Sequence, residues 1–190
     1  MAGSSTASDP AFYLDLSSPE AWLSAERILA LLPLPCEWVP VRMPFEGGFR
    51  CAEEEDIFRA EIERVAASRG LQAVSWPDPF PFDSELAQLA ATYAKAGGKT
   101  VAFCLAAFRQ AYAGGRSLAE EENVMIAAAA CEIHPRALLK GLETRSIAQR
   151  LAEATGDARA RGVRATPAFW TGTEVLHGDE ALERLVAAFT

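Results

Sequence analysis

Phe12-Tyr13-Leu14-Asp15-Leu16-Ser17-Ser18-Pro19-Glu20-Ala21-Trp22 is the stretch whose reading decides the fold. Its first five residues read as a short buried strand, and Ser17-Ser18-Pro19 stops it. Trp22, Ala25, Leu29 and Leu32 then recur at helical spacing, so a strand, a tight turn and a helix N-terminus follow within a few residues. The helix has two candidate starts. Ser18 as N-cap places Pro19 at the first helical position, where a missing N–H costs nothing. Ser17 as N-cap instead places Glu20 at the third position and completes a capping box. In either case the junction offers a hydroxyl together with unpaired backbone N–H groups, which suits an anion or a thiolate.

Outward from this junction, Pro33 and Pro35 end the helix. Cys36-Glu37-Trp38-Val39-Pro40-Val41 alternates and is rich in aromatic and β-branched residues, so a second strand is expected, weakened or at an edge where Pro40 falls. Strand, helix and strand within about thirty residues make a βαβ unit with parallel strands. Phe45-Glu46-Gly47-Gly48-Phe49 is a loop, and a helix follows over 53–69, stopped by Gly70. Trp76-Pro77-Asp78-Pro79-Phe80-Pro81-Phe82 reads as a stiff connector.

From 83 to about 160 the periodicity is helical only. Leu86, Leu89, Ala90 and Tyr93 form one stripe, and Val101, Leu105, Phe108 and Tyr112 another. Ser117 and Glu120 fit a capping box for a third helix, and Thr144 fits a cap for a later one carrying Ile147 and Leu151. Beyond Gly162 the β pattern returns: Ala168-Phe169-Trp170 and Glu174-Val175-Leu176 flank Thr171-Gly172-Thr173, a hairpin spacing. Asp179 is placed to cap a last helix with Leu182, Leu185, Val186 and Phe189 on its face. A βαβ half, a helical middle and a ββα half give an α/β thioredoxin-like fold with an all-helical insertion. The expected divisions are a disordered lead-in over 1–10, a thioredoxin-like domain from 11–76 and 160–190, and a helical insertion over 77–159.

A net charge of −8 argues against a nucleic-acid or anionic-membrane surface. The first ten residues have neither a basic region nor an apolar run, and no stretch is apolar enough to span a bilayer, so a cytoplasmic protein is expected. Cys36, Cys51, Cys104 and Cys131 are too far apart for a Cys-x-x-Cys pair or a zinc set. Three sit among apolar neighbours, and Cys51 lies beside Arg50 in a Gly-rich loop. With His134 and His177 the only histidines, no histidine-rich metal site is expected.

Gly162-Val163-Arg164-Ala165-Thr166-Pro167-Ala168-Phe169 is the second informative stretch, because a proline directly before a strand holds Thr166 extended. If the Thr166–Pro167 bond is cis, the Thr166 backbone polar groups turn outward. Together with Phe12 to Pro19 of the opening stretch, Val39-Pro40-Val41 and Leu176-His177-Gly178-Asp179, this stretch resembles the DsbA-like thioredoxin superfamily. Within it the likeness is to 2-hydroxychromene-2-carboxylate isomerases and kappa-class glutathione transferases, over nearly the whole chain from Phe12.

The resemblance implies the following roles. Ser18-Pro19-Glu20-Ala21 stands where redox members carry Cys-Pro-x-Cys, so dithiol exchange has no sulfur to use. Ser18 would donate to the thiolate of glutathione or another low-molecular-weight thiol. Thr166 and Pro167 would pair with the cysteinyl backbone, Asp179 and Glu180 would stand at the γ-glutamyl end, and Asp83 with Trp170 would line a pocket for a small aromatic substrate. Four positions depart from relatives: Glu20 replaces an aromatic residue, Asp83 an asparagine, Glu180 an aspartate, and Ala181 an arginine. A homodimer is expected, as in many relatives. The competing reading of Ser18 is a helix cap within a non-catalytic module that docks a peptide at the Thr166-Pro167 edge. Asp15 reads as a polar group at a strand end and His177 as a polar hairpin residue.

Overall fold

Ala11–Leu14 forms β1, buried at every position. Pro19–Leu31 forms α1, with Ser18 as its N-cap and Pro19 in the first turn. Of the two candidate starts, the chain uses the one that costs no backbone N–H, and the Ser17–Glu20 capping box does not form. Glu37–Pro40 forms β2, parallel to β1 with Phe12 opposite Trp38 and Leu14 opposite Pro40. These features belong to a computed structural model that describes residues 9–43 and 48–189. Most of the expected lead-in and of the 45–49 loop therefore lies outside the described residues.

The helices that follow are α2 (Ala52–Ser68), α3 (Glu85–Ala96), α4 (Thr100–Tyr112), α5 (Glu121–Ala130), α6 (Pro135–Leu142) and α7 (Arg145–Arg161). The chain closes with β3 (Ala168–Trp170), β4 (Val175–His177) and α8 (Ala181–Ala188). The sheet order is β2-β1-β3-β4, with β3 antiparallel to both β1 and β4. β2 is thus an edge strand, consistent with Pro40 at its end.

Alternation along β1 builds two layers. Phe12 and Leu14 point into the larger core with Trp22, Ile28, Trp38, Phe169, Leu182 and Leu185. Ala11 and Tyr13 point the other way, onto Val39, Val41, Ala158, Val163 and Ala168, so α7 covers that face. The connector over 76–82 packs Trp76 and Phe80 at 4.7 Å between ring centres, and its Asp78–Pro79 and Phe80–Pro81 bonds are cis.

Several local expectations fail in whole or in part: two hydroxyls are taken by neighbouring backbone groups, and elsewhere tertiary packing decides. α5 begins at Glu121, and the Ser117 hydroxyl accepts from the Ala119 N–H instead of capping it. The Thr144 hydroxyl, at the N-cap of α7, donates to the Gly141 carbonyl at 2.6 Å. α8 has Glu180 and not Asp179 at its N-cap. In α3 the fully buried face is Ala87, Gln88, Ala90, Ala91 and Ala94, while Leu86, Leu89 and Tyr93 are half-buried. Small residues let α3 approach closely, and its one buried amide has a specific task.

Gln88 Nε2 donates to the carbonyls of Leu14 at 3.0 Å and Val41 at 2.9 Å, joining the chain ends that leave β1 and β2. Replacement by leucine keeps the volume and leaves the Val41 carbonyl unpaired, while the Leu14 carbonyl keeps the Val41 N–H at 3.0 Å. Gln88→Leu is expected to lose about 1–3 kcal/mol of unfolding free energy in urea titration, the cost of one orphaned buried acceptor.

Candidate active site at the start of the first helix

The site begins with a buried carboxylate. Asp15 Oδ1 accepts from the Ser17 N–H at 3.0 Å and the Ser17 hydroxyl at 2.8 Å, closing the turn after β1. Its Oδ2 accepts from the Met43 N–H at 2.8 Å, so the same side chain holds the segment leaving β2. The Tyr112 hydroxyl is buried without a hydrogen-bond partner among the described residues. Burial first, and the Asp15 carboxylate second, hold that phenol well above its ordinary pKa.

On this frame Ser18 enters α1 with its own N–H donating to the Asp15 carbonyl at 3.0 Å. The Ser18 hydroxyl accepts from the Ala21 N–H at 3.1 Å and donates to the Thr166 carbonyl at 3.0 Å. The helix start and the turn before β3 therefore meet through one oxygen. The Thr166–Pro167 bond is cis, and no described residue accepts from the Thr166 N–H. Gly178, at φ +86°, sends its N–H to the Pro167 carbonyl at 3.0 Å. The Arg164 N–H donates to His177 Nε2 at 3.1 Å, so His177 fastens the 163–167 turn to β4.

Carboxylates border this corner. Asp179 is buried, accepts from the Ser24 hydroxyl at 2.9 Å and is ion-paired with Arg69 at the end of α2. Arg69 was not visible as a site residue, because nothing local marks a helix-terminal arginine as the partner of an acid more than a hundred positions away. Glu180 is exposed. Glu20, at the second position of α1, is half-buried, and no described residue donates to its carboxyl. Burial, followed by the charge of Asp179, raises its pKa above the ordinary glutamate value.

Ser18, Thr166, Pro167 and, through its field on Glu20, Asp179 are thus gathered at one corner. Of the two residues expected to line a substrate pocket, Trp170 lies away from this corner, and Asp83 is held by Arg42, which directly precedes the Met43 bound to Asp15. Asp83 is bound to Arg42 Nη2 at 2.7 Å and borders an open groove of about 400 Å³ with Leu86, Leu89 and Ala119. Trp170 pairs with Ala11 at the opposite end of β1, roughly 10 Å along β3 from Pro167 at about 3.3 Å per residue. Its ring lies under the Arg161 guanidinium, 4.9 Å away, on the α7 face. Trp170 is a packing residue there, because strand alternation and register carry it away from the corner. Cys104 is buried and Cys51 exposed, and burial pushes the Cys36 thiol up to about 12. Among the described residues no group of three His, Cys, Asp or Glu side chains could hold a metal, and no helix is long and apolar enough to cross a membrane.

The DSBA-like thioredoxin domain model matches residues 11–190, and the chain belongs to that family. No curated protein matches it by sequence. Among solved structures, a 2-hydroxychromene-2-carboxylate isomerase superposes with a TM-score of 0.84 at 19% identity, covering 96% of this chain and 94% of that one. Cytosolic disulfide reductase DsbM from Pseudomonas aeruginosa superposes at 0.67 with 16% identity, covering 96% and 97%. The same reductase solved with GSH gives 0.68 at 17% identity, with the same coverage. At such identities these likenesses establish the fold.

The His177 contact yields a pH prediction. Burial, and then the Arg164 charge, lower its pKa below the ordinary 6.5, and its neutral Nε2 is the acceptor in use. The unfolded chain therefore binds the proton first. Stability from this contact is fully present above about 6.5 and is lost as pH falls through the lower folded value. Urea midpoints measured from neutral to mildly acidic pH are expected to drop more steeply for the native chain than for His177→Gln.

Proposed function

We propose that the chain is a thiol-dependent isomerase or transferase acting on a small aromatic electrophile, in the manner of 2-hydroxychromene-2-carboxylate isomerase. The carrying observation is the 3.0 Å contact between the Ser18 hydroxyl and the Thr166 carbonyl. It sets a hydroxyl, a helix N-terminus and an unpaired backbone N–H side by side where redox relatives keep their sulfur. A cysteinyl unit fits these groups. The γ-glutamyl end of glutathione finds a less prepared place, since Asp179 is already taken by Ser24 and Arg69. The proposed cofactor is therefore a low-molecular-weight thiol, with glutathione as its first candidate.

When bound, such a thiol supplies a nucleophilic sulfur that adds reversibly to a conjugated double bond. The protein's part begins at Thr166. Its free N–H and its carbonyl receive the extended backbone of the ligand. The Ser18 hydroxyl has a single proton, which it gives to that carbonyl in the resting arrangement. An amide N–H from the ligand can take over the Thr166 carbonyl and release the hydroxyl to donate to the thiolate. The α1 N-terminus then favours the ionised sulfur.

A second reading is favoured by the same hydroxyl being fully used as a structural cap: a non-catalytic module that docks an extended peptide at Thr166. Isothermal titration of glutathione with the native chain and Ser18→Ala separates the two. The thiol-dependent reading expects binding by the native chain, a rise of tenfold or more in Kd for Ser18→Ala, and turnover of a chromene-type substrate. No thiol binding and no turnover, with recovery of a stoichiometric peptide partner, would replace it with the second. As a helix cap alone, Ser18→Ala costs about 1 kcal/mol of stability.

A further inference from the structure

Glu20 is the carboxyl at this corner that the surrounding charges leave out. Three helices pack on α1, namely α2, α4 and α8. From the end of α2 comes Arg69, which is ion-paired with Asp179. From α4 comes Arg109, bound to both oxygens of Glu26 at 2.7 Å. From α8 comes Glu183, ion-paired with Arg27 of α1. Each of these three arginines thus has its own anion, while Arg164, on the turn that carries Thr166, forms no ion pair among the described residues. Glu20 has none, and no described residue donates to it.

Its place on the helix matters as much as its isolation. Glu20 follows Ser18 and Pro19 directly, on the first turn of α1, so hydroxyl and carboxyl share one helix end. A thiolate held by Ser18 would bring a second uncompensated negative charge to that end, beside Asp179. The electrostatic conflict disappears if the proton leaving sulfur moves to Glu20, because the charge of the corner then stays constant.

We propose that Glu20 is the proton acceptor for the incoming thiol, taking the sulfur's proton and remaining as a neutral acid beside the thiolate. This rests on the thiol-dependent reading above. The step balances: the S–H bond breaks with its electron pair left on sulfur, an O–H bond forms on the Glu20 carboxylate, and no further reactant is consumed. Departure of the thiol returns the proton. The elevated pKa that burial and Asp179 give Glu20 supports this role, since such a carboxyl holds a proton better than an exposed glutamate. The acid that departs from the relatives' pattern thereby becomes compatible with thiolate chemistry.

Two measurements test it. In the free protein, carbon NMR of the glutamate carboxyls, assigned with Glu20→Gln, is expected to show Glu20 titrating above ordinary glutamates and moving down in Asp179→Asn. An ordinary titration for Glu20 overturns the proposal without touching the thiol-dependent reading. With glutathione, calorimetry in buffers of different ionisation enthalpy counts protons released, while the ultraviolet thiolate band counts thiolate formed. The native chain is expected to form thiolate while releasing well under one proton, and Glu20→Gln to release close to one per thiolate. Equal release from both overturns the proposal alone. Failure of native chain and variant alike to bind glutathione, with Glu20 still titrating high, overturns the thiol-dependent reading and the proposal with it.

Discussion

The Ser18 hydroxyl joins two segments 148 residues apart, accepting from the first turn of α1 and donating to the carbonyl before Pro167. A cap of this kind contributes about 1 kcal/mol to its helix, so its larger consequence is geometric. It brings the start of α1 and the turn into β3 to hydrogen-bond distance. The arrangement holds because both partners are fixed from behind. Asp15 closes the turn that delivers Ser18, and Gly178 and His177 pin the turn that delivers Thr166.

The acids near this corner are treated in three different ways. Asp15 is surrounded by two N–H donors and a hydroxyl, which compensate a buried carboxylate without any cation. Asp179 has a guanidinium and a hydroxyl. Glu20 has neither, and its neighbour is another acid. In a redox relative the same corner would have to stabilise a reactive sulfur of the protein itself. Here the chain supplies no sulfur at those positions.

Much of this was legible in the residue order. The βαβ start, the helical middle, the hairpin around Gly172 and the meeting of Ser18 with Thr166-Pro167 all follow from patterns with a local physical cause or from the family likeness. Failures cluster where two partners competed. Ser117 and Asp179 each carry a cap-forming side chain next to a helix start, yet both are bound elsewhere, to Ala119 in one case and to Ser24 and Arg69 in the other. Leu86 and Leu89 look like the core face of α3, but the alanine face packs more closely and carries Gln88 to two strand ends. Trp170 is near Thr166 in sequence and far from it across the sheet.

The sequence by itself determined the order of strands and helices, that α1 opens at Ser17 or Ser18, and that dithiol exchange has no thiols at Ser18 and Ala21. Those properties depend on residue type and on spacings of a few positions. Only the tertiary structure decided which charges pair. Arg69 reaches Asp179, Arg109 takes Glu26, Arg27 takes Glu183, and Glu20 is left with a carboxylate for a neighbour. Coulombic partners are chosen by distance through space, and the folding of α2, α4 and α8 around α1 sets those distances.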